Sequence, residues 1–346
     1  MKIAIIGAGW YGCHLAQVFL QKGYEIRIFE KSTQTISGAS KRNQNRLHLG
    51  FHYPRDHETR TQSKVGYEWF IEHYGSLTRE IDNNFYAVPN TDSTIDFETY
   101  KLIMDGTKLE YRAHEKKYIE KHYGFENMQG YIECDERVVR NDLASRYFND
   151  ILSKHIVFNT YVDLNDNAVC EALRENYDFI INCTWGATGQ LEDLNYFFEP
   201  CIYFYYRSKK DEQIALTIMD GEFYSLYPYY EDIYTLTSVK HTPIGQYTEI
   251  NKALVALNKA KRDDSFVYDK RVTFEKEFSK YYPEFLQDFI FDSVEFSMKT
   301  KVVSSTDYRG CFVKNEKNII TVFSGKIDTL HIAELEVMKL ISDVKP

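Results

Sequence analysis

Lys2-Ile3-Ala4-Ile5-Ile6-Gly7-Ala8-Gly9-Trp10-Tyr11-Gly12 is the stretch on which the fold turns. Its first five residues are a nearly continuous apolar run, as expected of a parallel strand buried on both faces. The glycines follow at G-x-G-x-x-G spacing, and Leu15, Val18 and Phe19 then recur at helical intervals up to Lys22. Gly23 punctuates the helix, and Tyr24 to Phe29 reads as a second strand. In such a unit Gly7 allows the tight turn, Gly9 lets backbone approach a pyrophosphate and Gly12 lets helix pack on strand. Trp10 and Tyr11 open a helix whose N–H groups suit an anion. Glu30, followed by Lys31, stands at the end of the second strand, 18 residues after Gly12. A carboxylate there accepts hydrogen bonds from ribose hydroxyls and repels a 2′-phosphate, which disfavours NADP. FAD and NAD share this fingerprint, so the choice between them comes from the rest of the chain.

Outward from this unit, a polar segment runs from Lys31 to Arg46, and Val65, Trp69, Phe70 and Tyr74 mark a helix. Phe85 to Val88 reads as a strand, Thr94 to Met104 and Ala113 to Tyr123 have helical character, Val138 to Leu152 suits a helix and His155 to Val162 a strand. Tyr177 to Cys183 is another apolar strand, stopping at Thr184-Trp185-Gly186. Three β-rich runs between Cys201 and Thr242 predict a largely antiparallel sheet. The strand Ile319 to Phe323, a turn at Ser324-Gly325-Lys326 and a helix from Leu330 to Ile341 then return to the opening style.

The 346 residues, 43% hydrophobic and 27% charged, are ordinary globular usage, with no apolar run long enough to span a membrane. A net charge of −9 argues against a nucleic-acid binder. The apolar stretch after Lys2 is broken by glycines and polar residues, so it is not read as a signal peptide and a cytoplasmic location is expected. The six cysteines are scattered, with no C-x-x-C pair, and are expected to be free thiols. Glu133, Asp135 and Glu136 read as a solvated helix start, and Arg55, Asp56, Glu58 and Arg60 as charges on a helix entry; no metal site is expected.

Three further segments decide the cofactor. Gly38-Ala39-Ser40-Lys41-Arg42-Asn43-Gln44-Asn45-Arg46-Leu47-His48-Leu49-Gly50-Phe51-His52-Tyr53-Pro54 resembles the flavin-contacting stretch of the D-amino-acid-oxidase-like superfamily, closest to its glycerol-3-phosphate and L-2-hydroxyglutarate dehydrogenase branches. Ile320 to Thr329, continuing into His331, resembles that superfamily's closing motif, and Ile180 to Gly186 is similar to the strand-then-glycine element that closes over the ADP. The resemblance implies FAD as cofactor. It places Ser40, Asn45, Arg46 and Leu47 at the flavin end, Val162 and Gly186 at the ADP end, and Gly325, Lys326, Ile327 and Asp328 against the flavin ring and ribityl chain. It also puts His48 near the flavin, His52 and Tyr53 facing the substrate, and Arg309 where the family often anchors an anionic group. Two departures from the glycerol-3-phosphate branch, Ser324 where it carries glycine and His52 where it carries arginine, leave the substrate open.

The expected architecture is α/β: a Rossmann-like FAD-binding domain (residues 1–80, 131–190 and 301–346) interleaved with an antiparallel-sheet substrate domain (81–130 and 191–300). The expected activity is FAD-dependent oxidation of a CH–OH or CH–NH group in a small anionic metabolite, such as a hydroxy acid, amino acid, polyol phosphate or amino sugar. The alternatives are a flavoprotein with non-redox chemistry, such as a sugar-nucleotide isomerase, and an NAD-linked dehydrogenase, against which the flavin-like segments weigh.

Overall fold

The computed structural model describes residues 1–189, 191, 193–304 and 308–343. Strands β1 (Lys2–Ile6) and β2 (Glu25–Phe29) flank the first helix, Trp10–Gln21. β3 (Arg46–Leu47) precedes the helix His57–Tyr74, after which come β4 (Thr78–Glu80), β5 (Asn84–Pro89), β6 (Arg112–His114), β7 (Met128–Glu133) and β8 (Arg137–Val139). Beyond the helix Asn141–Leu152 lie β9 (Ile156–Val157) and β10 (Phe179–Asn182). The next strands are β11 (Tyr196–Ser208), β12 (Ala215–Ile218), β13 (Tyr224–Tyr230), β14 (Ile233–Ser238) and β15 (Phe289–Val302), and finally β16 (Phe312–Glu316) and β17 (Ile319–Phe323).

Three sheets result. The first has the order β16-β17-β10-β1-β2-β9, parallel except for the β16–β17 hairpin. Alternation in β1 sends Ile3 and Ile5 into one core, shared with the helices Trp10–Gln21, Asn141–Leu152 and Leu330–Asp343, while Ala4 and Ile6 face a smaller core with Leu164, Cys170, Leu173 and Ile180. Both faces are covered, which explains why the run Lys2–Ile6 carries almost no polar residue. The second sheet has the order β15-β11-β14-β13-β12-β5-β7-β6. Its β12–β5 pair is parallel, so it is a mixed sheet rather than a wholly antiparallel one. Aromatic residues dominate its outer core, among them Phe204, Tyr206, Phe274, Phe278, Tyr282 and Phe285. The third, small sheet β3-β8-β4 lies where the chain crosses between the other two.

Several elements differ from the sequence reading. Val138 and Val139 belong to β8, not to a helix, because they pair with β3 and β4 on either side. Glu133, Asp135 and Glu136 are therefore no helix start: Glu133 ends β7, where it holds Arg112 at 2.9 Å and His114 at 2.6 Å. β12 and the long β15 were not anticipated, and the run 155–162 contributes only the two residues of β9. The six cysteines are free. Among the described residues no helix is long and apolar enough to cross a membrane, and no cluster of His, Cys, Asp and Glu could hold a metal.

Candidate active site and cofactor cavity

A cavity of about 990 Å³ runs between the first and second sheets. One end is built by the glycine turn. The helix Trp10–Gln21 begins at Gly9 without a side-chain cap of its own and without an acidic residue in its first turn, which leaves its positive end to the cavity. A Cβ on Gly12 would lie 1.9 Å from the Gly7 carbonyl oxygen, so the close helix-to-turn packing assigned to that position is required. Gly12 accordingly sits behind the cavity wall, whereas Gly7, Gly9, Trp10 and Tyr11 line it. Glu30 is 7% exposed, and its carboxylate accepts N–H bonds from Ala8 at 2.7 Å and Ser32 at 2.8 Å. It braces the turn and keeps lone pairs for a ribose. Lys31 and Val162 line the same end.

The segment 38–54 forms the middle of the wall. Ser40 and Asn45 line the cavity, Asn45 at a positive φ of 53°. Asn141, which the sequence reading passed over, organises this stretch: its side chain accepts from Trp10 Nε1 at 2.7 Å and donates to the Ser40 carbonyl and to Asn45 Oδ1, both at 2.7 Å. Leu47 is fully buried in the first core and does not reach the cavity. Its alternation in β3 turns it inward while Arg46 and His48 face the other way. Arg46 is also buried, donating to Tyr86 at 3.2 Å, Thr217 at 2.8 Å and Ser225 at 2.7 Å, with its guanidinium 3.7 Å from the Tyr227 ring centre. It thus joins the small sheet to the second sheet. Gly186, at φ 78°, is covered by Phe323, Thr300 and Tyr196, and its neighbours Trp185 and Ala187 line the cavity in its place.

At the closing turn Gly325, Lys326, Ile327 and Asp328 all line the cavity. Lys326 is nearly buried; its ammonium lies 3.1 Å from Asp328, 4.0 Å over the Tyr53 ring, and donates to Ser63. The Tyr11 hydroxyl donates to the Lys326 carbonyl and meets Thr329 Oγ1 at 2.7 Å, so the opening and closing turns are tied directly.

The four candidate reaction residues come together. His48, His52 and Tyr53 form a ring cluster with centres 5.2 to 5.6 Å apart, and all three line the cavity with Arg309. Burial holds His48 below the ordinary imidazole range despite the Glu136 carboxylate beside it. His52 lies well below that range, through burial first, then through His48 whenever that ring is protonated, and through the positive charges of Arg46, Arg309 and Lys326. Burial raises the Tyr53 hydroxyl. Both imidazoles are neutral near pH 7 and able to accept a proton. The second sheet contributes residues that the sequence reading missed: Glu199, Tyr203, Lys299 and Lys301 line the cavity, with Lys301 2.5 Å from Glu199. Burial and then the charge of Lys299 lower Lys301, partly offset by Glu199.

The fit of a dinucleotide rests on this continuity: a glycine-capped helix start, where Ser40 Oγ accepts only the Trp10 N–H at 3.4 Å, and a carboxylate at one end, basic and ring side chains at the other, and one cavity between. Residues 2–82 match the family described as 3-hydroxyacyl-CoA dehydrogenase, NAD binding domain, which covers the dinucleotide unit that NAD and FAD sites have in common. Over its whole length the chain is similar to a protein named FAD-dependent monooxygenase FPY4 from Fusarium mangiferae, with 34% identity across 99% of this chain and 91% of that one. It is also similar to FAD-dependent monooxygenase kojA of Aspergillus flavus, at 24% identity across 99% and 86%. Among solved structures, the FAD-bound L-α-glycerophosphate oxidase of Mycoplasma pneumoniae superposes with a TM-score of 0.73 at 12% identity, covering 99% of this chain and 94% of that one. Glycine oxidase of Geobacillus kaustophilus gives 0.69 at 12% identity, covering 100% and 96%; at such identities the likeness is one of fold. A relative at 34% identity over nearly the whole of both chains shows the family: the chain belongs to the FAD-dependent oxidoreductases, in the family of the FAD-dependent monooxygenase FPY4, and shares the fold of the glycine and glycerophosphate oxidases.

Proposed function

We propose that this enzyme oxidises a CH–OH or CH–NH group of a small anionic metabolite at the end of the cavity lined by His48, His52, Tyr53 and Arg309. The observation that carries the reading is that two imidazoles, His48 and His52, both held below their ordinary range, line one cavity with the basic side chains of Arg309, Lys299 and Lys301. In this reading the Gly7–Gly12 turn holds the pyrophosphate, Glu30 and Lys31 the ribose, Val162 the adenine, and the turn at Gly325 to Asp328 the flavin. Bound FAD supplies a two-electron acceptor for the substrate's C–H hydrogen. Arg309 holds the substrate's carboxylate or phosphate, for which a guanidinium fork is suited. His48 accepts the O–H or N–H proton, and His52 and Tyr53 close the chamber around the reacting carbon.

A second reading follows from the names of the fungal relatives, which are called monooxygenases. The two differ in how the flavin is reduced. FAD-loaded protein under anaerobic conditions, titrated with hydroxy acids, amino acids, polyol phosphates and amino sugars, is expected to lose its visible flavin absorbance with one of these classes and no added reductant. Bleaching only by NADH or NADPH, with oxygen from O2 found in the product, favours monooxygenation. Turnover without any change in flavin oxidation state favours the isomerase type. Protein that takes up no FAD rules out all three.

A further inference from the structure

β3 and β8 pair antiparallel with Arg46 opposite Val138 and Leu47 opposite Arg137. Continued by one residue, that register sets His48 opposite Glu136. The side chains follow: Glu136 Oε1 lies 3.5 Å from His48 Nδ1, and Oε2 lies 4.0 Å from Arg46 Nε. Glu136 is 0% exposed and outside the cavity wall, yet it accepts from the Leu49 N–H at 2.9 Å and the Tyr86 hydroxyl at 2.8 Å. Burial opposes its ionisation, but His48 and Arg46 outweigh burial and hold it below the ordinary carboxylate range. His48 Nδ1 is buried on the Glu136 side without a full hydrogen bond, while 21% of the His48 side chain remains exposed and lines the cavity.

We propose that Glu136 is a positioning residue: its carboxylate keeps the His48 ring in the Nδ1–H tautomer and turns a basic Nε2 towards the cavity. This rests on the reading of His48 as the proton acceptor. In that step the substrate O–H or N–H bond breaks and an Nε2–H bond forms. The imidazolium that results stands beside a carboxylate that stays ionised and takes no proton; bound FAD, held by the glycine turn and the turn at Gly325 to Asp328, would supply the two-electron acceptor for the substrate's C–H hydrogen. A contact of 3.5 Å is long for a hydrogen bond, as such pairs are before substrate closes on them. Other charged and titratable groups reach His48 or its ring cluster from each neighbouring element: Arg46 from β3, His52 and Tyr53 from the loop that follows, Lys326 from the closing turn and Arg309 through His52. The cations among them disfavour an imidazolium. Asp328, paired with Lys326 on the closing turn, acts on Tyr53 of the cluster, and Glu136 is the carboxylate that lies beside His48 itself and favours its imidazolium.

The test uses FAD-loaded full-length protein labelled with 15N-histidine, in which ring correlation spectra report the tautomer and titration of each of the ten histidines, His48 being assigned by its loss in His48→Asn. The wild type is expected to show the Nδ1–H tautomer for His48. Glu136→Gln, whose amide oxygen still accepts a hydrogen bond but carries no charge, is expected to keep FAD, to weaken the tautomer preference and to move the His48 titration down by about one pH unit or more. If Glu136→Gln does not fold, Glu136→Asp, which withdraws the carboxylate by one methylene, is expected to move both in the same direction by less. An Nε2–H tautomer in the wild type, or a His48 signal unmoved in a variant that retains FAD, overturns the proposal. Flavin bleaching by substrate at an unchanged rate in His48→Asn overturns the proton-acceptor reading while leaving the Glu136–His48 pairing standing.

Discussion

His52 is surrounded by positive charge from more than one direction, with His48, Arg46, Arg309 and Lys326 all acting on it, and burial is the largest reason its pKa lies well below the ordinary value. In an unfolded chain the same imidazole binds a proton near pH ~6.5. Below that pH the unfolded chain therefore takes up a proton that the folded protein refuses, and stability falls as the medium is acidified until the folded His52 is itself protonated. Glu136 acts in the same direction at lower pH: its stabilisation is complete above the unfolded carboxylate value of ~4.5 and is lost as pH falls through its depressed folded value. His52→Gln is expected to shrink the drop in melting temperature between pH 7 and pH 5. Melting curves across that range decide it, and an unchanged slope counts against the assignment. The histidines were legible because a motif surrounds them. Glu136 was not, since only the β3–β8 register shows that one of three adjacent acids points inward, and Leu47 was misplaced for the same reason.

At the level of elements, the helix His57–Tyr74 begins on Asp56, whose side chain accepts the Thr59 N–H at 2.7 Å, so two of the charges read as a helix entry, Asp56 and Glu58, do that work. Its contact with the closing turn is unusual. A Cβ on Gly66 would stand 1.6 Å from the Asp328 carbonyl oxygen, so backbone meets backbone there and any side chain must push the turn away. Gly66→Ala is expected to destabilise the protein by about 1–3 kcal/mol and to weaken FAD retention, because the turn that moves carries Lys326 and Asp328. Denaturant unfolding and flavin content after dialysis measure the two effects; a loss of stability with full flavin retention separates the helix from the site. Val65, one of the residues that mark this helix in the sequence, is 49% exposed, and its neighbour Gly66 makes the contact. Hydrophobic periodicity marks side chains that bury themselves and is silent about a residue chosen for having none. β15 is the opposite case. Its alternation, with Val294, Phe296 and Met298 set between Ser293, Glu295, Ser297 and Lys299, is a period-two pattern that identifies a strand, and with it the lysines of the cavity.

At the scale of the molecule, the elements of the two large sheets alternate along the chain: β1 and β2 precede β5 to β7, and β9 and β10 precede β11 to β15, before β16 and β17 return to the first sheet. That was legible because the glycine turn, the flavin-like stretch and the closing motif lie far apart in sequence yet must meet at one cofactor. The mixed pairing within the second sheet was not, since a parallel β5–β12 contact joins strands whose own patterns say nothing of direction. The cavity lies between the sheets, so a ligand that spans it stabilises both, whereas one confined to the glycine turn stabilises the first. FAD at about one hundred times its Kd is expected to add about 2.7 kcal/mol to the unfolding free energy. ADP at the same concentration is expected to raise the melting temperature by less, because without the flavin end its Kd is higher. Thermal shifts of stripped protein with each ligand compare them, and equal shifts argue that the flavin end contributes no binding energy.

The place of β17 in the first sheet has a consequence for how the protein is made. β1 is made long before its partner β10, which follows only at residues 179–182, and β10's other partner, β17, only at residues 319–323. Until then the β10 edge is an open template with unpaired amide and carbonyl groups, and the turn that Tyr11 must grip does not yet exist. Such distant pairing slows folding and prolongs the interval in which a sticky strand edge is exposed. The nascent chain therefore carries a half-built nucleotide cradle from the synthesis of β1 until that of β17.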